Sequence, residues 1–310
     1  MLETWLTRTL GITVPLLGAP MGGRAGGRLA GEVTRAGGLG LIGAARYNTA
    51  EWLAAESAVA RELGGGPLGF GLMTWSLADD DSLLDAVLAE RPRVVSLSFG
   101  DPAPYVPRVR AAGAVVISQI NTIEDLRVVE AAGVDAVVAQ GHEAGGHTGH
   151  IGTLPLLQEV LESTSLPVLA AGGIASGRGL AAVLAAGAEG ALVGTALLAS
   201  PETVGPKYAR DRLVAASSSD TVYTDVFDRA RHQPWPVRWG GRALTNDYTA
   251  EWHGRGADEE TLAAAYDGTD PRRGVVYAGE AAGLVREQRP AGEIVRDIAD
   301  RAEELLRRSW

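Results

Sequence analysis

The chain has 310 residues, 46% of them hydrophobic and 21% charged, which supports a large buried core and argues against global disorder. Its 28 basic and 38 acidic residues leave a formal charge of −10, which argues against nucleic acid or an anionic membrane as partner. The absence of cysteine excludes disulfides, thiolate zinc sites and cysteine nucleophiles, and fits a cytoplasmic location.

The opening stretch MLETWLTRTLGITVPLLGAPMGG lacks a basic segment followed by an apolar core, so it does not read as a secretory signal. Residues 14–21 (VPLLGAPM) read as a first strand, followed by a helix over 28–36 that Gly37-Gly38 stops. A second strand covers 39–44, and Asn48 is a good N-cap for a helix running to about Leu63. Further strands are expected at 68–74, 93–99, 114–120, 135–140, 167–171 and 190–193. Helices are expected between them near 80–90 and 104–112, after Thr122, over 154–163 and after Ser176. Glu124 and Asp125 sit at the positive end of the helix after Thr122. The apolar run 180–200 is broken by Glu189 and glycines, so it reads as a buried helix and strand, with no membrane span expected.

Several strands are continuous apolar runs, as expected for parallel strands covered on both sides. Eight strand–helix units in order predict an α/β fold, a (β/α)8 TIM barrel over residues 1–214, with an open doubly wound sheet as the alternative. Residues 215–275 break the rhythm and hold three of the seven tryptophans. They are expected to form a small, partly helical excursion capping one end of the barrel. Tyr223, Trp235 and Trp239 there either wall a pocket or simply pack. Residues 276–310 return and end in an amphipathic helix that has Arg307 and Arg308 at its negative end.

In such a barrel the loops after the strands form the active face, and phosphate commonly binds after the last two strands. The seventh predicted strand ends in Gly172-Gly173 and the eighth in Gly194-Thr195. Glycine lets backbone amides approach an anion, and the threonine adds a hydroxyl. The competing reading is a pair of tight turns. The first strand ends in GAPMGG, a small segment able to lie beneath a planar ring. A phosphorylated planar cofactor, FMN or another nucleotide, fits both features. GGRAGG resembles a dinucleotide fingerprint in letters only, since its acidic partner is missing.

Three of the five histidines fall in Gln140–His150, QGHEAGGHTGH. His142 and His147 are five apart and separated by Gly145-Gly146, which does not fit the helical HExxH zinc motif; a three-histidine metal site in a loop is the alternative. The loop leaves the sixth strand on the side of the glycine pairs. A histidine there, His147, could exchange a proton near neutral pH without metal. His142 and His150 read as loop residues and Glu143 as a loop-ordering acceptor.

Taken together, QGHEAGGHTG, LAAGGIASGRGLAAVLAAGAEGALVGT and GAPMGG resemble the FMN-dependent nitronate monooxygenases, and the late GRALTND and YAGEAAGLVREQRP segments extend the resemblance. It implies FMN as cofactor, and a small alkyl nitronate oxidised with O2 to a carbonyl compound and nitrite. It implies His147 as the catalytic residue, with Gly145 and Gly146 of its motif at the cofactor. It further implies Gly172, Gly173, Gly194 and Thr195 at the phosphate, Ala19, Pro20, Met21 and Gly22 against the isoalloxazine, and Gln119 as a polar cofactor contact. Neither nucleic acid nor membrane is an expected partner, and a homo-oligomer is compatible with the sequence. The stretch GFGLMTW departs from the family: Gly71 stands where the pattern often has asparagine. Two alternatives remain: an NAD(P)H-dependent flavin reductase of enoyl-acyl-carrier-protein or quinone reductase type on the same scaffold, and a barrel that binds a phosphorylated ligand without turnover.

Overall fold

The computed structural model describes residues 2–308. The strands, in chain order, are β1 (Leu16–Gly18), β2 (Leu39–Ala44), β3 (Gly69–Met73), β4 (Val94–Ser98), β5 (Val115–Ile120), β6 (Ala136–Gln140), β7 (Gly146–Thr148), β8 (Val168–Ala171), β9 (Ala191–Val193), β10 (Thr221–Thr224) and β11 (Gly240–Leu244). All except β7, β10 and β11 form one closed barrel of parallel strands, with β9 pairing back onto β1. This is the expected (β/α)8 barrel, and the open sheet is set aside.

Side-chain alternation divides the core into two layers. Leu17, Leu41, Val94, Ile117, Val138, Leu169 and Leu192 fill the barrel interior, while Leu16, Ile42, Val95, Val116, Val137 and Val168 meet the surrounding helices. Both faces of every strand are therefore largely buried, which is why the sequence shows apolar runs rather than alternation. Truncating a fully buried interior leucine such as Leu169 to alanine costs about 2–5 kcal/mol.

A short helix the sequence did not announce, Trp5–Leu10, closes the N-terminal pole. Thr4 and Thr7 cap it reciprocally, and Leu6 and Leu10 join the interior layer. The opposite pole is thereby left as the open one. One cap differs from expectation: the helix Ala50–Gly64 is capped by Thr49, whose hydroxyl accepts from Trp52 N–H at 3.2 Å. Asn48 instead accepts from Ala45 N–H at 2.7 Å and tightens the preceding turn. Thr122 caps Ile123–Ala131 as expected.

The histidine stretch is only partly a loop. Its centre is β7, which pairs antiparallel with β11, and β11 pairs antiparallel with β10. His147 lies opposite Gly241 in this register. The excursion thus contains a small sheet as well as the helices Val226–Ala230, Asp247–Trp252 and Glu259–Ala265. Buried Arg242 of β11 fastens the two parts. Its Nε–H donates to His142 O at 2.9 Å, and Nη1 reaches Thr221 Oγ1 at 3.0 Å and Glu280 Oε1 at 3.2 Å. The C-terminal helix Ala291–Leu306 packs on Gly177–Ala185 and Gly27–Arg35. No helix of the described residues is long and apolar enough to cross a membrane.

Candidate active site

A cavity of about 780 Å3 opens at the C-terminal ends of the barrel strands and is roofed by the excursion. Ala19, Pro20, Met21, Gly22, Gln119, Gly145, Gly146, His147, Gly172, Gly173, Gly194 and Thr195 all line it. The sequence separates these residues widely; barrel closure gathers them on one rim. The volume lies within the usual range for a cofactor site.

The rim after β8 and β9 presents unengaged backbone N–H groups. Gly172 and Gly173 have φ of +101° and +72°, a left-handed turn that side chains disfavour. The N–H groups of Gly172, Gly173 and Gly194 have no hydrogen-bond acceptor among the described residues. Thr195 Oγ1 accepts from Gly279 N–H at 2.9 Å, so its own hydroxyl hydrogen is free to donate elsewhere. Four adjacent donors with no protein acceptor suit an anion.

The segment at residues 19–22 lies across the ends of β2 and β3. A Cβ at Gly43 would come within 2.8 Å of the Met21 carbonyl carbon, and one at Gly71 would overlap the Pro20 ring. Gly71 is therefore the residue that lets Pro20 settle on β3, which accounts for glycine at the position where the family pattern often has asparagine. The polar floor is a hydrogen-bonded chain. Gln119 Nε2 and Asn121 Nδ2 each donate to Gln140 Oε1 at 2.9 Å, and Trp239 Nε1 donates to Asn121 Oδ1 at 3.1 Å. This leaves Gln119 Oε1 and Gln140 Nε2 without protein partners among the described residues, an acceptor and a donor facing the same cavity.

His147 is buried beneath the roof. Its Nε2 stands 2.8 Å from Asp228 Oδ2, and its ring stacks on Trp235 at 3.4 Å between centroids and 8° between planes. Asp228 Oδ1 accepts from Tyr277 Oη–H at 2.9 Å. Burial first, then the Asp228 charge, holds the Tyr277 phenol well above its usual pKa, so it remains a donor. The three histidines of the motif do not converge. His142 Nδ1 meets Gly149 O at 2.7 Å, and the His142 and His150 rings gather around Tyr223. Glu143 accepts from Thr153 N–H at 2.8 Å and Thr153 Oγ1–H at 2.7 Å, the loop-ordering role expected of it.

Sequence reasoning did not single out Asp228, Tyr277, Gln140 or Phe99. Gln140 ends β6 beside the histidine motif, and that position was its signal. Asp228 and Tyr277 carry no spacing signal, because only the folded roof brings them to His147. Of the excursion aromatics, Trp235 walls the cavity, whereas Trp239 is buried as a donor and Tyr223 hydrogen-bonds Gly240 N–H and Thr148 O. Phe99, held at φ +66° after β4, sets its ring edge-on to Trp235 at 5.1 Å. A non-glycine residue in that region carries about 1–3 kcal/mol of strain, here spent aiming an aromatic into the cavity.

The nitronate monooxygenase family model matches residues 3–82 and 71–300. A nitronate monooxygenase from Neurospora crassa is 30% identical over 99% of this chain and 93% of its own length. Proteins described as (3aS,4S,5R,7aS)-5-hydroxy-7a-methyl-1-oxo-octahydro-1H-indene-4-carboxyl-CoA dehydrogenases from Rhodococcus jostii and Mycobacterium tuberculosis are 36% and 37% identical over 75% of this chain. The match spans 65% and 66% of those two relatives, about two thirds of their length. Among solved structures, FabK from Thermotoga maritima superposes with a TM-score of 0.86 at 32% identity, covering 99% of this chain and 98% of that one. A nitroalkane oxidase from Streptomyces ansochromogenes gives 0.81 at 34% identity, covering 96% and 98%. The chain belongs to the nitronate monooxygenase family.

Proposed function

We propose that the chain is an FMN-dependent oxidoreductase that converts alkyl nitronates, with O2, to carbonyl compounds and nitrite. The observation that carries this reading is the single cavity shared by four unengaged rim donors, a flat glycine-rich segment and one buried histidine. Gly172, Gly173, Gly194 and Thr195 would hold the phosphate. Residues 19–22 would lie along the ring, with Gln119 and Gln140 supplying an acceptor and a donor. The flavin, when bound, supplies the electron transfer and the reaction with dioxygen. His147 exchanges a proton with the nitro group or the α-carbon of the substrate, taking the α-carbon proton when the substrate arrives as the neutral nitroalkane. The excursion over 215–275 serves as the roof that excludes water, with Trp235 and Phe99 forming an apolar wall for the alkyl part.

The test is to load purified protein with FMN, add a nitronate under air and measure nitrite. His147→Asn should keep the flavin and lose most turnover, and nitrite release at the wild-type rate from that variant would remove the assignment. The dehydrogenase relatives and the FabK superposition support a second reading, a flavin reductase or dehydrogenase. Anaerobic bleaching by NAD(P)H or an acyl-CoA, with none by a nitronate, would favour that one.

A further inference from the structure

The imidazole of His147 has two nitrogens, and its neighbours treat them unequally. Nε2 faces Asp228 Oδ2 at 2.8 Å. A buried carboxylate beside an imidazole accepts, so Nε2 carries a hydrogen and, in the neutral ring, Nδ1 keeps its lone pair. Nδ1 has no hydrogen-bond partner among the described residues, and His147 lines the cavity. Asp228 is itself pinned: Tyr277 donates to its other oxygen at 2.9 Å, and the Arg231 guanidinium lies 3.8 Å from that same oxygen. The faces around the ring are accounted for by Asp228 and Arg231 at the helix Val226–Ala230, Tyr277 of the returning chain and the stacked Trp235.

We propose that Asp228 is a positioning residue that fixes His147 as an Nδ1 base turned toward the substrate, with Tyr277 locking the carboxylate in place. The proposal rests on His147 acting on substrate, as argued above. Without the carboxylate the imidazole is free to rotate or to take the other tautomer, which carries a hydrogen where the lone pair is needed. A carboxylate serving only to brace the roof would leave the tautomer indifferent.

The experiment uses the FMN-loaded protein labelled with 15N in its histidine rings, with His147 assigned by the signals lost in His147→Asn. Wild-type protein should show His147 protonated at Nε2 and bare at Nδ1 in its neutral form. Asp228→Asn preserves shape but can present an amide donor to Nε2, so His147 should shift toward the Nδ1–H form. Its kcat/KM with a neutral nitroalkane, from whose α-carbon Nδ1 takes the proton to leave the nitronate, should fall about 100-fold or more, in line with the contribution of general acid–base catalysis, while FMN affinity stays within about threefold. Tyr277→Phe should keep the wild-type tautomer and lose about three- to tenfold. An Nδ1–H tautomer in the wild type overturns the proposal without any variant. An unchanged tautomer, or a kcat/KM within about threefold of wild type in Asp228→Asn, also overturns it. Should the wild type release no nitrite, the functional reading fails, while the tautomer measurement still decides what Asp228 does.

Discussion

Thr195 offers the sharpest test of the proposed phosphate site, because its hydroxyl is used on one side only. Oγ1 accepts the Gly279 N–H at 2.9 Å, which leaves a single hydrogen to donate into the cavity beside the free amides of Gly172, Gly173 and Gly194. Thr195→Val keeps the branched shape and removes both functions. A hydrogen bond to a charged group contributes about 1.5–3 kcal/mol, so FMN binding should weaken about 10- to 150-fold. The apoprotein should also lose about 1 kcal/mol, since Gly279 N–H forfeits its acceptor. Thr195→Ser should restore both within about threefold. Flavin fluorescence titration reads the first quantity and chemical denaturation of apoprotein the second. An FMN affinity unchanged in the valine variant, alongside a normal stability loss, would show that the hydroxyl braces residue 279 and that the phosphate lies elsewhere.

Other substitutions probe separate links. Gly71→Asn puts a side chain into the space of the Pro20 ring, so residues 19–22 must move; purified protein should retain little flavin, read from its visible-to-ultraviolet absorbance ratio. Tyr248 is fully buried, with Oη donating to Leu262 O at 2.8 Å, and burial raises its pKa to about 12. The unfolded tyrosine ionises near 10, so between about pH 10 and 12 the folded state holds the extra proton and stability falls as pH rises. Tyr248→Phe should be less stable than wild type at neutral pH, and the difference should shrink through that window in denaturation curves recorded across pH. Arg242→Met frees the His142 carbonyl and Thr221 hydroxyl from their buried donor; a loss of about 1.5–3 kcal/mol is expected in apoprotein unfolding.

The barrel is legible in the sequence because its strands are hidden on both faces. Runs such as AVVISQI and DAVVAQ cannot be amphipathic helices of that length, and two of the helices between them start on side-chain caps, Thr49 and Thr122. Where caps stood side by side, as at Asn48 and Thr49, composition could not choose; the backbone did, giving Thr49 the helix and Asn48 the turn. The glycine rim is legible for a related reason. Glycine pairs at strand ends are local, and parallel closure turns equal positions along the strands into neighbours in space.

The roof obeys a different rule. β7 is three residues long and β11 begins Gly240-Gly241, a pair that reads as a turn. Neither has enough apolar alternation to announce a strand. They form one because Arg242 is buried between them and because Tyr277 and Asp228 fill the space above His147. Those partners come from a helix and a returning segment far along the chain, so no periodicity in the histidine motif could report them. The motif identifies which nitrogen-bearing side chain faces the cavity, whereas the roof determines which of its two nitrogens is available. Substrate handling in this chain can therefore change through the roof while the glycine rim stays the same, and substitutions at residues 228, 235 and 277 should alter it before they alter flavin retention.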